Sequence, residues 1–362
     1  MHETWRLLDT GLASVARNVA LTRALLEARH ADESPSTLRF LRYSSGALIG
    51  CNRSVRNELN VAYCTANGIP VQRRITNGTA WFVDERQLGW ELCVHRREIG
   101  TATLSSIMKR VCHAAATALS ALGLDARYRA RDEIEVGGRT LCAAAAAAEG
   151  GGVLVQGVLM IEPDFERLVG ALRLPLATSA ADEPAARLGH DIAAARWRMA
   201  GLKELLGRLP EPGLVRRNLA EAYESAFDVE FREGELSLTE HARYQRALAE
   251  VDTPGWTDVV STRSNMPLLG AEQRVGGALL RATLKYDPER RTVAQIWFSG
   301  DLSLNPRRSL NDLETALRDV PVNQAARQIE SFFASRAVDT GVLRPSDFVA
   351  VVRIALGEPL VT

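Results

Sequence analysis

"GIPVQRRITNGTAWFVD", residues 68–84, joins a short apolar run, two consecutive arginines, an Asn-Gly turn and a second apolar run. Two readings are open for it. An Asn-Gly turn between extended runs makes a plain hairpin, with Arg73 and Arg74 solvated. Alternatively, the two guanidinium forks and the turn amides form a cradle for a phosphate or a carboxylate. The flanking sequence decides what kind of fold carries this stretch.

Upstream, "LASVARNVALTRALLEAR" (residues 12–29) spaces its apolar residues as an amphipathic helix does. "TLRFLRY" and "GALIG" read as strands, and "RNELNVAYCTANG" as a helix that stops at Gly68. Downstream, "GWELCVHR" is a further strand. Leu104, Ile107, Met108, Val111, Ala115, Leu119 and Leu122 then line one face of a helix. "DEIEVGG", "RTLCAAAAAA" and "GVLVQGVLMI" read as consecutive strands with glycine turns, followed by a short helix in "EPDFERLVGAL". From about Ala180 to Ala249 the pattern is helical, and "VDTPGWTD" reads as a linker. "VGGALLRATLKYDPERRTVAQIWFSG" is a hairpin turning at "DPERR", with helical segments after it. The expected class is α+β: a large mixed-sheet domain over 1–250 and a small α+β domain over 251–362.

Bulk properties exclude several roles. The 362 residues carry 44 basic and 44 acidic side chains, so no general attraction to nucleic acid or an acidic membrane is expected. No apolar run reaches about 18 residues, and the first residues lack the character of a signal peptide. Cys51, Cys64, Cys93, Cys112 and Cys142 are odd in number and form no CxxC, which points to a reducing cytoplasm rather than a disulfide framework or a zinc site. Lysine is scarce. Only Lys109, Lys203 and Lys285 occur, and arginine supplies 41 of the 44 basic groups.

Chemistry-bearing candidates are few. Asp132 and Glu133 are adjacent, so on a strand they face opposite ways and make a poor acid/base pair. Metal contact by one of them and a solvated sheet edge are both open. Cys142 is either a nucleophile or a buried inert thiol within an alanine run. The histidines show no metal-ligand spacing, so no metal centre of protein ligands is expected. Walker loop, GxSxG elbow and dinucleotide fingerprint are all missing.

Taken together and in order, these stretches resemble the lipoate-protein ligase A family of the biotin/lipoate ligase superfamily. "RRITNGTAWFVD" sits where the family has Arg-Arg-x-(Thr/Ser)-Gly-Gly-Gly-x-Val-x-His-Asp. "RDEIEVGGRTLCAAA" sits where it has Arg-Asn-Asp-(Ile/Leu), a glycine turn and Lys-(Ile/Val)-Ser-Gly-x-Ala, and "VLVQGVLM" matches its His-Gly-Thr-Leu-Leu strand. "LTEHARYQRALAEVDTPGWTD" is similar to the joint with an accessory domain, and the region around "SGD" and "LE" to that domain itself. The resemblance implies ATP- and magnesium-dependent formation of an acyl-adenylate from lipoate or octanoate. The acyl group then passes to a lysine of a lipoyl-domain or lipoate-carrier protein.

The same comparison shows departures. The glycine triplet is Asn77, Gly78 and Thr79, and the motif histidine is Val83. The Asn-Asp pair expected to hold nucleotide and magnesium is Asp132-Glu133. Thr140 takes the seat of the family lysine, Cys142-Ala143 follow it, and Gln156-Gly157 replace His-Gly. Arg73, Arg74, Gly78, Asp84 and Gly157 persist. Thr79, Val83 and Val158 predict a pocket less polar than the family's. A cation aimed at developing charge is worth about 3–4 kcal/mol, and threonine cannot supply it. Three functions are compatible with this pattern: acyl-adenylate-dependent transfer through a modified site, a catalytically inactive homologue that binds a lipoyl carrier or a partner ligase, or acyl transfer through Cys142.

Overall fold

The computed structural model describes residues 3–51, 53–100, 103–129, 132–174, 184–258, 266–300, 302, 304–306 and 308–357. The chain forms two compact units. One comprises 1–136, 140–173 and 199–261, the other 137–139, 174–198 and 262–362. The class is α+β, with a large mixed sheet, as expected. Arg131, residues 175–183 and Asp301 of the "SGD" stretch lie outside the described residues.

The first unit is built on two sheets. Its strands are β1 (Glu3–Ala13), β2 (Thr37–Tyr43), β3 (Gly46–Ile49), β4 (Val71–Arg73), β5 (Trp81–Val83), β6 (Gln87–His95), β7 (Ala126–Arg129), β8 (Glu133–Val136), β9 (Arg139–Glu149), β10 (Gly152–Met160) and β11 (Val229–Glu233). The large sheet has the order β11-β1-β2-β6-β10-β9-β8-β7, and the small one β4-β3-β5. β1 runs parallel to β2 and β11; β2, β6, β10 and β9 pair antiparallel. All nine residues of β10 are buried, as a strand covered on both faces requires.

Side-chain alternation divides the sheet's two faces. Phe40, Trp90, Leu92, Cys142, Ala144, Val155 and Leu159 pack with the helices α2 (Leu104–Ser120) and α3 (Pro212–Phe227). Leu41, Ala145 and Val158 face the other way, toward α1 (Val15–His30) and α4 (Leu238–Val251). Trp90 sits 5.7 Å from Tyr223. The alanine run of β9 suits this position, because small side chains let helices and loops approach both faces closely.

A buried ion pair anchors α4. Arg6 donates to both carboxylate oxygens of Glu240, at 2.8 and 2.5 Å. Ser237 caps the same helix and its amide donates 2.7 Å to Glu240.

The second unit carries β12 (Leu268–Val275), β13 (Ala278–Asp287), β14 (Thr292–Gly300) and β15 (Val320–Pro321) in one antiparallel sheet. The predicted hairpin is β13–β14, and Asp287 Oδ1 closes its turn by accepting from Glu289 and Arg290. Helices over 309–316, 322–334 and 345–356 cover the sheet, with Phe298 5.2 Å from Phe348.

Three local expectations change. The helix expected over 56–68 breaks at Leu59, which pairs with Leu172, and Asn60 recaps the chain for a second helix, Val61–Ala66. β1 and β11 were not expected; β11 interrupts a region that reads as helical throughout. The "VDTPGWTD" segment is no free linker, because Thr253–Asp258 folds against β4 through Trp256 and Thr257.

Candidate functional site

The loop between β4 and β5 follows directly from Arg73 and Arg74. Both arginines are buried, and neither is a solvated hairpin residue. Every nitrogen of the Arg73 guanidinium donates to a carbonyl: Nη1 to Gly50, Cys51 and Arg53, and Nε and Nη2 to Thr257. Trp256 Nε1 returns a 2.8 Å bond to the Arg73 carbonyl. Arg74 donates from Nε to Thr76, from Nη1 to Leu48, and from Nη2 to the carbonyls of Asn77 and Thr79, both at 2.7 Å. Its guanidinium lies 4.0 Å over the Trp81 ring, and burial lowers its pKa to about 10. The two forks thus shape loops instead of presenting free donors.

That shaping has a consequence for the turn. Arg74 draws the Asn77 and Thr79 carbonyls inward, while the amides of Gly78 and Thr79 make no hydrogen bond among the described residues. Gly78 has φ +100°, and a Cβ there would meet Arg74 Nη2 at 2.9 Å. A Cβ on Gly50 would strike the Gly78 carbonyl at 2.1 Å, so the two loops touch backbone to backbone. Amides left without a partner in a turn whose carbonyls are held by Arg74 are donors of the kind an anion takes. The turn keeps this form although two of the three glycines expected from the resemblance are Asn77 and Thr79. Asn77 also accepts from Cys51 Sγ at 3.2 Å, and its amide donates to the Ala146 carbonyl on β9.

Thr140 is buried on β9, an interior strand two places in from the β7 edge of the large sheet. Its Oγ1 accepts a 2.9 Å bond from Arg129 Nη2 and donates 3.1 Å to Glu133 Oε2. Arg129 and Glu133 are cross-strand partners in the β7–β8 hairpin and form an ion pair. A cation therefore does reach the seat of Thr140, delivered from two strands away and already neutralised by a carboxylate. Arg129 escapes sequence reasoning because only the hairpin register brings it there; the alternation in "ARYR…EIEV" is the one available signal. Lys109 does not supply the charge, since it is exposed on α2.

The remaining candidates separate from one another. Glu133 is engaged with Arg129 and Thr140, while the Asp132 carbonyl accepts from Ala144. Among the described residues no group of three or more His, Cys, Asp or Glu side chains could hold a metal ion. Cys142 is 1% exposed, and burial pushes its thiol up to about 12, the opposite of an activated nucleophile. Val83 is core, packed beside Val15, Leu48 and Val158. Asp84 is also fully buried; its pKa is raised by burial, against the opposing pull of the Arg86 amide and guanidinium, which bond it at 3.0 and 3.2 Å. Gly157 is a packing glycine, because a Cβ would enter the Trp90 ring at 2.3 Å.

Gln156 points away from Trp90, into a narrow cleft lined by Thr22, Tyr43, Leu48 and Arg74. Tyr43 was not singled out in the sequence, where it reads as a strand residue.

The site thus lies in a mixed sheet covered on both faces, with a buried arginine pair behind the β4–β5 turn and a small-residue strand beside it. Residues 14–224 match the family model of the lipoyl protein ligase A/B catalytic domain, and the chain belongs to that family. It is 26% identical to the octanoyltransferase LipM of Moorella thermoacetica, over 70% of this chain and 97% of that one. In fold it is similar to the bipartite lipoate protein ligase of Thermoplasma acidophilum, studied with its E2 lipoyl domain (TM-score 0.61, 22% identity, 73% of this chain and all of that one). A lipoate-protein ligase A bound with ATP is similar to the same degree (TM-score 0.61, 20% identity, 72% of this chain and all of that one). Among the described residues no helix is long and apolar enough to cross a membrane.

Proposed function

We propose that this chain is an acyl-binding member of the lipoyl ligase family that lacks the family's lysine-dependent ligation step. It recognises a lipoyl- or octanoyl-type acyl group, free or on a lipoyl-domain carrier. The turn at Asn77, Gly78 and Thr79 meets the carboxylate or acyl carbonyl, and Ala143, Ala145 and Gln156 border the chain. The observation that carries this reading is the Arg129–Thr140–Glu133 cluster, in which the Thr140 hydroxyl is held by a guanidinium and a carboxylate that are themselves ion-paired. A group spent on a ground-state partner contributes little to developing charge in a transition state. Cys142, buried and with its thiol pushed up, offers no alternative route.

The test is direct. Purified protein is supplied with ATP, magnesium, and lipoate or octanoate, and pyrophosphate release and acylation of a lipoyl domain are followed beside a working ligase. The expected result is saturable acid or carrier binding with turnover about 10⁴-fold below the control, the scale set by two lost charge-stabilising contacts of about 3 kcal/mol each. One observation favours a second reading, modified catalysis: Arg129 is a cation 2.9 Å from Thr140 Oγ1. Turnover that disappears in Arg129→Gln would establish it and overturn the first.

A further inference from the structure

A groove of about 550 Å³ runs between α2 and α3, the two helices that cover the sheet face opposite α1 and α4. Much of its wall is small and apolar, from Ala114, Ala222 and Ala226. Its charged side chains are all basic: Lys109, Arg110 and His113, each exposed on α2. No carboxylate lines it among the described residues. Glu224 of α3 is turned instead to the Phe231 amide at 2.7 Å, and the first turn of α2 carries no acidic residue. The chain as a whole balances 44 basic groups with 44 acidic ones, so this local excess of one sign is a property of the groove.

Two of the three basic groups are held in place. Arg110 donates from Nε and Nη2 to the Ala226 carbonyl and lies 4.3 Å over the Phe227 ring. The His113 ring packs 5.0 Å from that of Tyr128. Lys109 differs from the other two lysines of the chain. Lys203 pairs with Glu162 at 2.5 Å and Lys285 is buried, whereas the Lys109 ammonium has no partner among the described residues. The Ser225 hydroxyl, across the groove on α3, has none either. Lys109 and His113 stand four residues apart on one helix, where like charges oppose each other and an anion between them relieves the repulsion.

We propose that the α2–α3 groove binds an organic phosphate, with its phosphoryl oxygens on Lys109, His113 and Arg110 and its apolar body along the alanine wall. The proposal is independent of the acyl-binding reading. Several basic groups around one point suit a dianion better than a single charge. A carboxylate is met best side-on by a free guanidinium edge, and Arg110 has spent its Nε–Nη2 edge on Ala226. Lysine, by contrast, serves phosphate as a compact point charge. The groove is also far larger than an inorganic ion, so its apolar part has room for a body attached to the phosphate.

Titration calorimetry on the full chain tests this with phenyl phosphate, inorganic phosphate and benzoate, in about 150 mM salt so that diffuse attraction is screened. Phenyl phosphate binds saturably and about tenfold more tightly than either of the others, since one lacks the apolar body and the other the second charge. In Lys109→Glu, and separately in His113→Gln, its affinity falls by about tenfold or more without a lower melting temperature, because both side chains are exposed. Asn77→Asp, which sets a negative charge in the β4–β5 turn, leaves that affinity unchanged. Benzoate binding as tightly as phenyl phosphate overturns the assignment to phosphate. Loss of binding in Asn77→Asp but not in Lys109→Glu places the anion in the turn and overturns the groove as its site. An absence of saturable phenyl phosphate binding overturns the proposal and leaves the acyl-binding reading standing.

Discussion

Arg129 Nη2 donates a 2.9 Å hydrogen bond to Thr140 Oγ1 across the intervening strand β8, and Glu133 meets both of them. A cation from another strand thus reaches Thr140, the residue that the resemblance sets against the family lysine.

Restoring a lysine there meets a cation already in place. Thr140→Lys is expected to give no ligation and to lose about 2–4 kcal/mol in urea denaturation, because it buries a second positive charge beside Arg129. Thr140→Lys with Arg129→Met leaves one cation facing Glu133 and recovers most of that stability. Lipoyl-domain acylation by the single variant would show that Arg129 does not occupy the seat functionally.

Arg74 is the residue on which the Asn77–Thr79 turn depends. Arg74→Ala leaves the carbonyls of Leu48, Asn77 and Thr79 without their donor and uncovers Trp81. The expected loss is about 3–5 kcal/mol in stability, with acyl-acid binding abolished. Arg74→Lys recovers less than half of it, since an ammonium cannot reach three carbonyls and stack as a planar fork does. Full recovery by lysine would mean that charge alone matters there.

Much of the fold was legible because its central strands are apolar runs punctuated by glycine, and burial on both faces demands that pattern. β1 and β11 were not, because one is part polar and the other a five-residue edge strand next to helix-forming sequence. The site was legible only where residues act through neighbours in the chain. Asn77, Gly78 and Arg74 belong to one turn, and their association shows in the string. Arg129 over Thr140, Trp256 against Arg73 and Tyr43 beside Gln156 arise from register and tertiary packing, for which a single sequence carries no mark.

The cysteines give a chemical check on burial. Cys64, Cys93, Cys112 and Cys142 are buried, and burial raises each thiol, with that of Cys142 at about 12. Only Cys51, at the edge of the Asn77 turn, keeps intermediate exposure. Brief iodoacetamide treatment of the native protein at pH 8, read by mass spectrometry, is expected to label Cys51 alone. A saturating acyl acid slows that labelling if it sits in the turn. Labelling of Cys142 at a comparable rate would reopen its role as a nucleophile.

Glu240 couples the anchoring of α4 to pH. Burial opposes its ionisation, yet the bonds from Arg6, Ser34 and the Ser237 amide outweigh burial and hold its carboxyl below the ordinary 4.5. A carboxyl whose pKa is lowered by folding stabilises the fold fully above its ordinary value and loses that contribution as pH falls through the folded one. Glu240→Gln leaves Arg6 buried without a counter-charge, so a loss of about 3–5 kcal/mol is expected at pH 7. The gap between parent and variant narrows once pH drops below about 4.5, because the carboxyl of the unfolded parent then takes up a proton that the folded one still refuses. Denaturant melts at pH 7, 5 and 3.5 measure it. A gap constant over that range would place the stabilising charge elsewhere, and one that widens toward acid would reverse the sign assigned to Glu240.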